Sequence, residues 1–274
     1  MQQAANSIQS LRRAFGILEA LSAHPRGVAL TDLAAEVKLS KSTVHRFLVS
    51  LGEIGYIAKE ESTGRYRLTL RMFEVGSKAV HALGILEIAR PYLEHIAEAT
   101  AETVHLVAQD GSKVVYLYKY NPASTTVHMA SGIGNCSPMY CTGVGKAILA
   151  SLPEKEIREV WETSNVRRFT ENTITDFDGM MEELEKTRRR GYAVDSEEHE
   201  RGVFCIAAPI LDYSGRPRYA ISISAPSVRV SDRHQQEFVR LVQHAASEIS
   251  ALLGMNFASF GLLIPDGGPR VAPG

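Results

Sequence analysis

The segment of residues 30–52, with the sequence LTDLAAEVKLSKSTVHRFLVSLG, constrains the fold of this chain more than any other stretch. Its apolar residues recur every three or four positions on both sides of a short interruption at Lys38 and Leu39, which predicts two helices joined by a tight turn. Thr31 and Ser40 stand where the two helices should begin, and a hydroxyl at such a position can accept a hydrogen bond from a free first-turn amide. The sequence therefore predicts a helical hairpin with a cap on each helix.

The second helix of this hairpin has an apolar face and a polar face of short hydroxyls and cations. Val44, Leu48 and Leu51 define the apolar face. The polar face suits a helix inserted in the DNA major groove, where hydroxyls and backbone amides meet phosphates while His45 or Arg46 reaches base edges. The alternative is an ordinary amphipathic hairpin with a solvated outer face. The residues of the hairpin that we predict to contact DNA are Thr31, Lys41, Ser42, Thr43, His45 and Arg46.

The flanking segments extend the hairpin to a winged helix-turn-helix. Upstream, an amphipathic stretch predicts a supporting helix that ends near Pro25 and Gly27, because both residue types interrupt helices. Downstream, residues 56–68 form two short alternating stretches around a polar turn, which predicts a two-stranded wing. Arg65 and Arg67 fall on one face of this wing, where they can reach phosphates or a minor groove.

The balance of charge gives modest support to DNA as a partner. Residues 8–70 carry nine Lys and Arg against six Asp and Glu, whereas the whole chain has a net charge of -1. This small positive excess does not suit nonspecific coating of nucleic acid. We therefore expect binding through placed contacts, with two copies of the motif acting together.

Length and composition predict two globular domains in the cytoplasm. The 274 residues are 45% hydrophobic, which is enough to build two cores. No apolar run approaches the roughly 20 residues that span a bilayer, and the N-terminus lacks an export signal, so we expect no membrane partner. The three cysteines, Cys136, Cys141 and Cys205, have no metal-binding spacing and fit a reducing compartment.

The remainder of the chain predicts a linker helix and then an α+β domain. Residues 71–85 have a helical pattern, and this linker either offers apolar surface to a second copy or covers the core of the next domain. Within residues 86–254, hairpin strands stand between helices, which is typical of an α+β sensor domain, and Val127 and Met129 suggest one further strand. Residues 255–274 end in a stretch rich in Gly and Pro, and we expect them to form a flexible tail.

Five sequence motifs occur in order along the chain. They are SKSTVHRFL (Ser40–Leu48), GYIAKEESTGRYRLT (Gly55–Thr69), GVGKAILA (Gly143–Ala150), GYAVDSEEHERGVFCIAAPI (Gly191–Ile210) and SIS (Ser222–Ser224). This set resembles the IclR family of bacterial transcription regulators over residues 8–254. The resemblance implies a winged helix-turn-helix domain at 8–70 and a GAF-like α/β sensor domain at 86–254 that binds a small organic acid. RYRLTLRMFEVG and CIAAPI further resemble regulators of sugar-acid catabolism, such as the ketodeoxygluconate regulators.

The predicted sensor domain has a loop suited to holding an anion. Residues 141–144 lead into a helix whose free first-turn amides and dipole attract a carboxylate, and Gly143 permits close approach. The resemblance implies that Gly143 and its neighbour contact the ligand. That neighbour is Val144, where Ala is familiar in the family, so we expect a tighter or differently shaped pocket. Ser222 and Ser224 alternate with isoleucines on a strand, so both hydroxyls can donate to the same carboxylate.

Three more pocket positions follow from the resemblance. Asp195 would accept a hydrogen bond from a ligand hydroxyl, Cys205 would form a soft wall, and Met129 an adaptable apolar wall. Taken singly, the serines also fit satisfied hydroxyls in a sheet, and Asp195 fits a helix or turn cap. The polar loop at residues 197–201 either closes over the ligand or is solvated, and of the two we expect it to be solvated. The predicted effector-binding residues are Met129, Gly143, Val144, Asp195, Cys205, Ser222 and Ser224.

Two enzymatic interpretations of the second domain conflict with its residues. GVGK resembles the end of a phosphate-binding loop, but Tyr140 replaces its first glycine and Ala147 replaces the magnesium-binding hydroxyl. A cysteine hydrolase would use Cys141 or Cys205 in a triad with His199 and Asp195, yet the apolar strand around Cys205 favours an inert thiol. We therefore predict no catalytic residues, no cofactor and no metal site. A metabolite enzyme with an auxiliary DNA module is the alternative class.

The two domains together predict a regulator whose DNA binding depends on a ligand. One recognition helix reads only a few base pairs, so a homodimer or a dimer of dimers should bind a palindromic operator. An acid effector would release a repressor from a catabolic operon. Activation is the other sign that linkage allows.

Overall fold

A computed structural model describes residues 2–81, 84–122 and 131–254. The chain divides into two compact units, residues 1–83 and 84–274. The strand expected near Met129 and the tail expected at 255–274 lie outside the described residues.

The first unit has the helix, helix, helix, hairpin order predicted from the sequence. The two wing strands pair antiparallel, with Ala58 opposite Arg67, and Val28 bridges to Tyr66 beside them. This arrangement confirms the winged helix-turn-helix. Its elements are α1 (Gln2–Ser22), α2 (Leu30–Glu36), α3 (Lys41–Glu53), β1 (Ile57–Lys59), β2 (Tyr66–Leu68) and α4 (Leu70–His81).

The two helix caps predicted for the hairpin have different outcomes. The Ser40 hydroxyl accepts a hydrogen bond from the Thr43 amide at 3.3 Å, so the cap of α3 is confirmed. The cap predicted at Thr31 is wrong, because α2 begins at Leu30, two residues earlier than such a cap requires, and Ala29 occupies the capping position. The Thr31 hydroxyl instead donates to the Asp32 carboxylate within the first turn.

The turn and the core of the hairpin follow the expected pattern. Lys38 has a φ of 53°, the left-handed conformation that reverses the chain between α2 and α3. Leu33, Val44 and Leu48 are buried against the supporting helix, which contributes Ile17 and other apolar side chains. The apolar spacing therefore specifies how the three helices pack.

The linker region contains a helix with a break after it. Helix α4 ends at His81, and residues 82 and 83 lie outside the described residues. Gly84 then has a φ of 65° and precedes the next helix, α5 (Ile85–Thr100). The helical pattern predicted through residue 85 is thus interrupted at Gly84.

The second unit is built on one six-stranded antiparallel sheet with the strand order β5-β4-β3-β8-β7-β6. Helices α6, α7 and α8 cover one face with an apolar core that includes Ile148, Ile157 and Leu184. The α+β class is confirmed. After α5 the elements are β3 (Thr103–Asp110), β4 (Lys113–Tyr120), β5 (Cys136–Pro138), α6 (Gly143–Ala150), α7 (Glu154–Thr163), α8 (Phe177–Arg190), β6 (Ala193–Ser196), β7 (Val203–Ile210), β8 (Tyr219–Pro226) and α9 (Asp232–Leu252).

Among the described helices, none is long and apolar enough to cross a membrane.

Candidate DNA interface and effector cavity

Helix α3 presents its predicted DNA-reading residues on its outer face. Lys41, Ser42, His45 and Arg46 are exposed, as the amphipathic spacing requires. Thr43 is half-buried, and its hydroxyl lies 2.8 Å from that of Ser40, so it belongs to the cap as much as to the surface. The outer face also holds an apolar residue that the sequence analysis missed.

That residue is Val49, whose side chain is 45% exposed. It follows Ser42 and His45 at helical spacing and so shares their face. An exposed β-branched side chain is unfavourable on a solvated helix, but it can contact a thymine methyl group in a major groove.

The wing places its two arginines at the surface, as does α2 with Thr31. Arg65 and Arg67 are exposed, whereas Tyr66 between them is buried. The Arg65 guanidinium donates to the carbonyl of Gly27 at 3.1 Å, which ties the wing to the loop between α1 and α2. Arg65 therefore has a structural contact in addition to any contact with DNA.

One cavity of about 330 Å³ in the second unit collects the predicted effector residues. These helix and strand residues are up to 81 positions apart in sequence and line the same space. Met129 lies outside the described residues. The predicted residues that line the cavity are Gly143, Val144, Asp195, Cys205, Ser222 and Ser224.

The register of the sheet explains why the polar side chains meet. Ser224 on β8 lies opposite Cys205 on β7, and Cys205 lies opposite Asp195 on β6. Residues opposite one another in a sheet share a face, so these three side chains form a row across three strands. The next row pairs His105 on β3 with Ser222 on β8.

Helix α6 begins at the edge of this cavity. The Thr142 hydroxyl accepts a hydrogen bond from the Gly145 amide at 3.2 Å and caps the helix. The amides of Gly143 and Val144 belong to the first turn and have no carbonyl partner within the helix. A side chain built on Gly143 would lie 3.5 Å from the Cys205 side chain, so this helix terminus faces the sheet row closely.

Burial controls the charge of the groups in the cavity. Burial, followed by the negative charge of Glu198, raises the pKa of Asp195 to about 7. Burial also raises the pKa of the Cys205 thiol and of the Tyr116 hydroxyl. Desolvation and then the nearby Lys119 ammonium lower the pKa of His105 to about 3, so its ring is neutral in ordinary buffers.

The loop at 197–201 does not behave as a uniformly solvated segment, which corrects our expectation for two of its residues. Glu198 is buried and pairs with the fully buried ammonium of Lys146. Lys146 also lies 3.5 Å from Glu183, which pairs with Arg190. The His199 ring is half-buried and packs on Phe169, with 5.0 Å between ring centroids.

This pairing also explains the lysine of the GVGK sequence. Lys146 joins α6 to the loop after β6 through an internal ion pair, so its ammonium does not face the effector cavity. The thiol of Cys141 is buried as well, and burial raises its pKa, which disfavours the reactive thiolate. Among the described residues, no group of His, Cys, Asp and Glu has the arrangement of a metal site.

The structure adds cavity residues that sequence reasoning did not select. The added residues that line the cavity include His105, Tyr116, Ser131, Asn135, Ser137 and Glu200. All of these except Glu200 lie outside the five motifs, and strand pairing and the path of the loops bring them to the cavity. Glu200 lies within the motif Gly191–Ile210 and was placed in the polar loop without being selected.

A winged helix-turn-helix with an exposed cationic face, in one chain with a separate α+β domain, defines a DNA-binding regulator of transcription. Comparison with known families identifies which one. Residues 10–61 match the IclR helix-turn-helix domain, and residues 77–251 match the bacterial transcriptional regulator IclR C-terminal domain. The chain belongs to the IclR family.

Individual relatives agree with this assignment. The HTH-type transcriptional regulator KdgR of Escherichia coli is 37% identical over 249 residues, which are 91% of this chain and 94% of the relative. The DNA-binding transcriptional repressor YiaJ of the same organism is 36% identical over 248 residues, covering 90% and 88% of the two chains. The crystal structure of the Thermotoga maritima IclR superposes with a TM-score of 0.74 at 35% identity, covering 90% of this chain and 99% of that chain.

These families and relatives are regulators of transcription and not enzymes. The chain is therefore a transcriptional regulator, and the alternative of an enzyme with an auxiliary DNA module is set aside. Its partner class is DNA.

Proposed function

We propose that this regulator represses an operon for the catabolism of a sugar acid or another small organic acid, and that a carboxylate effector releases it from its operator. The similarity to YiaJ, a DNA-binding transcriptional repressor, supports repression as the sign of control. A bacterial regulator of this kind acts on DNA in the cytoplasm.

The cavity between helix α6 and the sheet carries the effector part of the proposal. Ser222 and Ser224 present two hydroxyls from one strand, and Gly143 and Val144, whose first-turn amides have no carbonyl partner within the helix, line the same cavity. Several donors and the positive end of a helix dipole favour a carboxylate. A space of about 330 Å³ suits a molecule with roughly ten heavy atoms, because a water molecule occupies about 30 Å³ of liquid.

The carboxyl groups in the cavity are compatible with an acid ligand. Asp195, with its pKa raised to about 7, holds a proton in much of the population near neutral pH and then repels an anion less. Glu200 interacts electrostatically with Lys119, which offsets its charge. Both carboxyl groups can accept hydrogen bonds from hydroxyl groups, which a sugar acid has in addition to its carboxylate.

In the proposed function, both helix α3 and the wing of the first unit contact DNA. Lys41, Ser42, His45 and Arg46 would enter the major groove with α3, while Arg67 and Arg65 of the wing would reach the backbone or the minor groove. A homodimer that places two such units on a palindromic operator supplies the specificity that one helix lacks.

A thermal-shift titration tests the effector site. Gluconate, glycerate, pyruvate and 2-keto-3-deoxygluconate are compared with glycerol, which has hydroxyls and no carboxylate. At least one acid at 100 times its Kd should raise the free energy of unfolding by about 2.7 kcal/mol. Ser222→Ala should lose most of this shift while melting at a similar temperature without ligand. If none of these acids binds, the proposal for this cavity fails.

A further inference from the structure

His105 lies at the centre of the hydrogen bonds that surround the two effector serines. Its Nδ1 is 3.3 Å from the Ser222 hydroxyl oxygen and 3.4 Å from that of Ser224. Its Nε2 is 2.8 Å from the Ser131 hydroxyl oxygen. The ring is buried and packs edge-on against Tyr116, with 5.1 Å between centroids, so its orientation is fixed.

A neutral imidazole has one N–H donor and one acceptor nitrogen. Burial of His105 beside the Lys119 ammonium lowers its pKa and excludes the doubly protonated ring. Lys119 lies opposite His105 in the sheet, and its ammonium donates to the Ser131 carbonyl at 2.6 Å. The two tautomers of the ring therefore present different groups to the serines.

The number of hydroxyl hydrogens shows which tautomer allows both serines to donate to a carboxylate. Each serine hydroxyl has a single hydrogen, and a carboxylate held by Ser222 and Ser224 needs both of them as donors. Each serine oxygen can then only accept on the side of His105. The Cys205 thiol already donates to the Ser224 oxygen at 3.0 Å, which also leaves the Ser224 hydrogen available.

We propose that His105 is a specificity-determining residue of the effector site, whose neutral Nδ1–H tautomer takes neither serine hydrogen and so leaves both serine hydroxyls to donate to an anionic ligand. This inference rests on the proposed effector function of the cavity. In the Nδ1–H tautomer, Nε2 is the acceptor and the Ser131 hydroxyl donates to it. In the other tautomer, Nδ1 would take a serine hydrogen, and the cavity would have one donor fewer for a carboxylate.

Substitutions that imitate one ring nitrogen test the proposal. The amide of Asn can imitate the Nδ1–H donor, that of Gln extends toward the Nε2 position, and Leu has no polar group. By calorimetric titration with gluconate, glycerate and pyruvate, we expect His105→Asn to keep the affinity within about threefold. His105→Gln and His105→Leu should each lose about tenfold, the loss expected for one misdirected hydrogen bond. His95→Leu, at an exposed histidine of α5, is the matched control and should bind as the parent chain does.

A second measurement does not depend on a variant that folds. Two-bond proton–nitrogen correlation spectra of the ¹⁵N-histidine-labelled chain, saturated with the acid that binds best, should give the Nδ1–H pattern for His105. An Nε2–H pattern, or equal affinities of the Asn and Leu variants for an acid that the parent chain binds, would overturn this inference alone. Failure of the parent chain to bind any of the three acids would overturn both the proposed effector function and this inference.

Discussion

Gly143 and Gly145 lie in the first turn of α6, and glycine stands at these two positions for different physical reasons. A side chain on Gly145 would collide with the backbone of Met139, so this position requires a residue without a Cβ. A side chain on Gly143 would meet only other side chains at 3.5 Å or more, which is ordinary contact. The two glycines look equivalent in the sequence pattern GVGK. The fold requires glycine at position 145, whereas glycine at position 143 leaves space in the effector cavity.

Gly143→Ala and Gly145→Ala form a matched pair that separates these reasons. Gly143→Ala should fold with an unchanged or slightly higher Tm, because alanine favours helices, but it should weaken acid binding about tenfold by filling space next to Cys205. Gly145→Ala should lower the free energy of unfolding by about 1–3 kcal/mol or more. Thermal unfolding and calorimetric titration check both. Similar melting temperatures for the two variants would contradict the assignment.

Asp195 should make the stability of the second unit depend on pH. Its pKa is about 7 in the folded chain and 3.8 in its ordinary state, so the folded chain binds more protons between these values. The free energy of unfolding therefore falls as the pH rises from about 4 to 7, and the loss is complete above that window. Asp195→Asn lacks this titration and should gain stability relative to the parent chain between pH 5 and pH 8. Parallel urea-unfolding curves at both pH values would contradict the raised pKa.

Side-chain positions were predictable where the sequence pattern shows on which face of a strand or helix the side chain lies. The alternation of Ser222 and Ser224 with isoleucines fixed their common face before any strand was paired. The contact of His105 with Ser222 joins residues 117 positions apart, and the pairing of Lys146 with Glu198 joins residues 52 apart. Such contacts depend on sheet register and loop path, which no local pattern contains.

At the scale of elements, helices with strong apolar periodicity were predicted to within a few residues. The sequence pattern predicts a helix over residues 177–190 and a strand over residues 113–120, and these are the bounds of α8 and β4. The elements missed were β5, α7 and β6. The strands β5 and β6 have only three and four residues, which is too short for periodicity to appear. Helix α7 does have its apolar residues Ile157, Val160 and Trp161 at helical spacing, so its pattern could have been recognised despite the high charge of the segment.

In the proposed function, helix α3 contacts both the bases and the phosphates of DNA, and substitutions should distinguish these two kinds of contact. Arg46→Ala should weaken binding to a DNA site selected from a random library by about 1–3 kcal/mol and relax its sequence preference. Lys41→Ala should weaken binding to all sequences alike and reduce the salt dependence by about one ion. Fluorescence anisotropy at several salt concentrations measures both effects.

Arg12→Ala, at an exposed position of α1, changes the charge equally and is the control. If the three variants lose affinity equally and keep the same sequence preference, α3 does not read bases.

In the whole molecule, the proposed function requires that the DNA-binding unit and the cavity-bearing unit share one conformational equilibrium. Helix α4 is the last helix of the first unit, and Gly84 is the first residue of the second. Linkage requires that an effector which lowers operator affinity by some factor is itself bound more weakly, by the same factor, when operator is present. A typical factor is about 5–150. The sign and size of this coupling, unlike the fold, cannot be deduced from residue patterns, because they depend on energy differences between two arrangements.

The decisive measurement is the operator affinity of the full chain with and without a saturating acid, paired with the acid affinity with and without operator. We expect the acid to weaken operator binding at least about fivefold, and operator to weaken acid binding by the same factor. Ser222→Ala should abolish both effects. Unchanged operator affinity when the cavity is demonstrably occupied would contradict the proposed function.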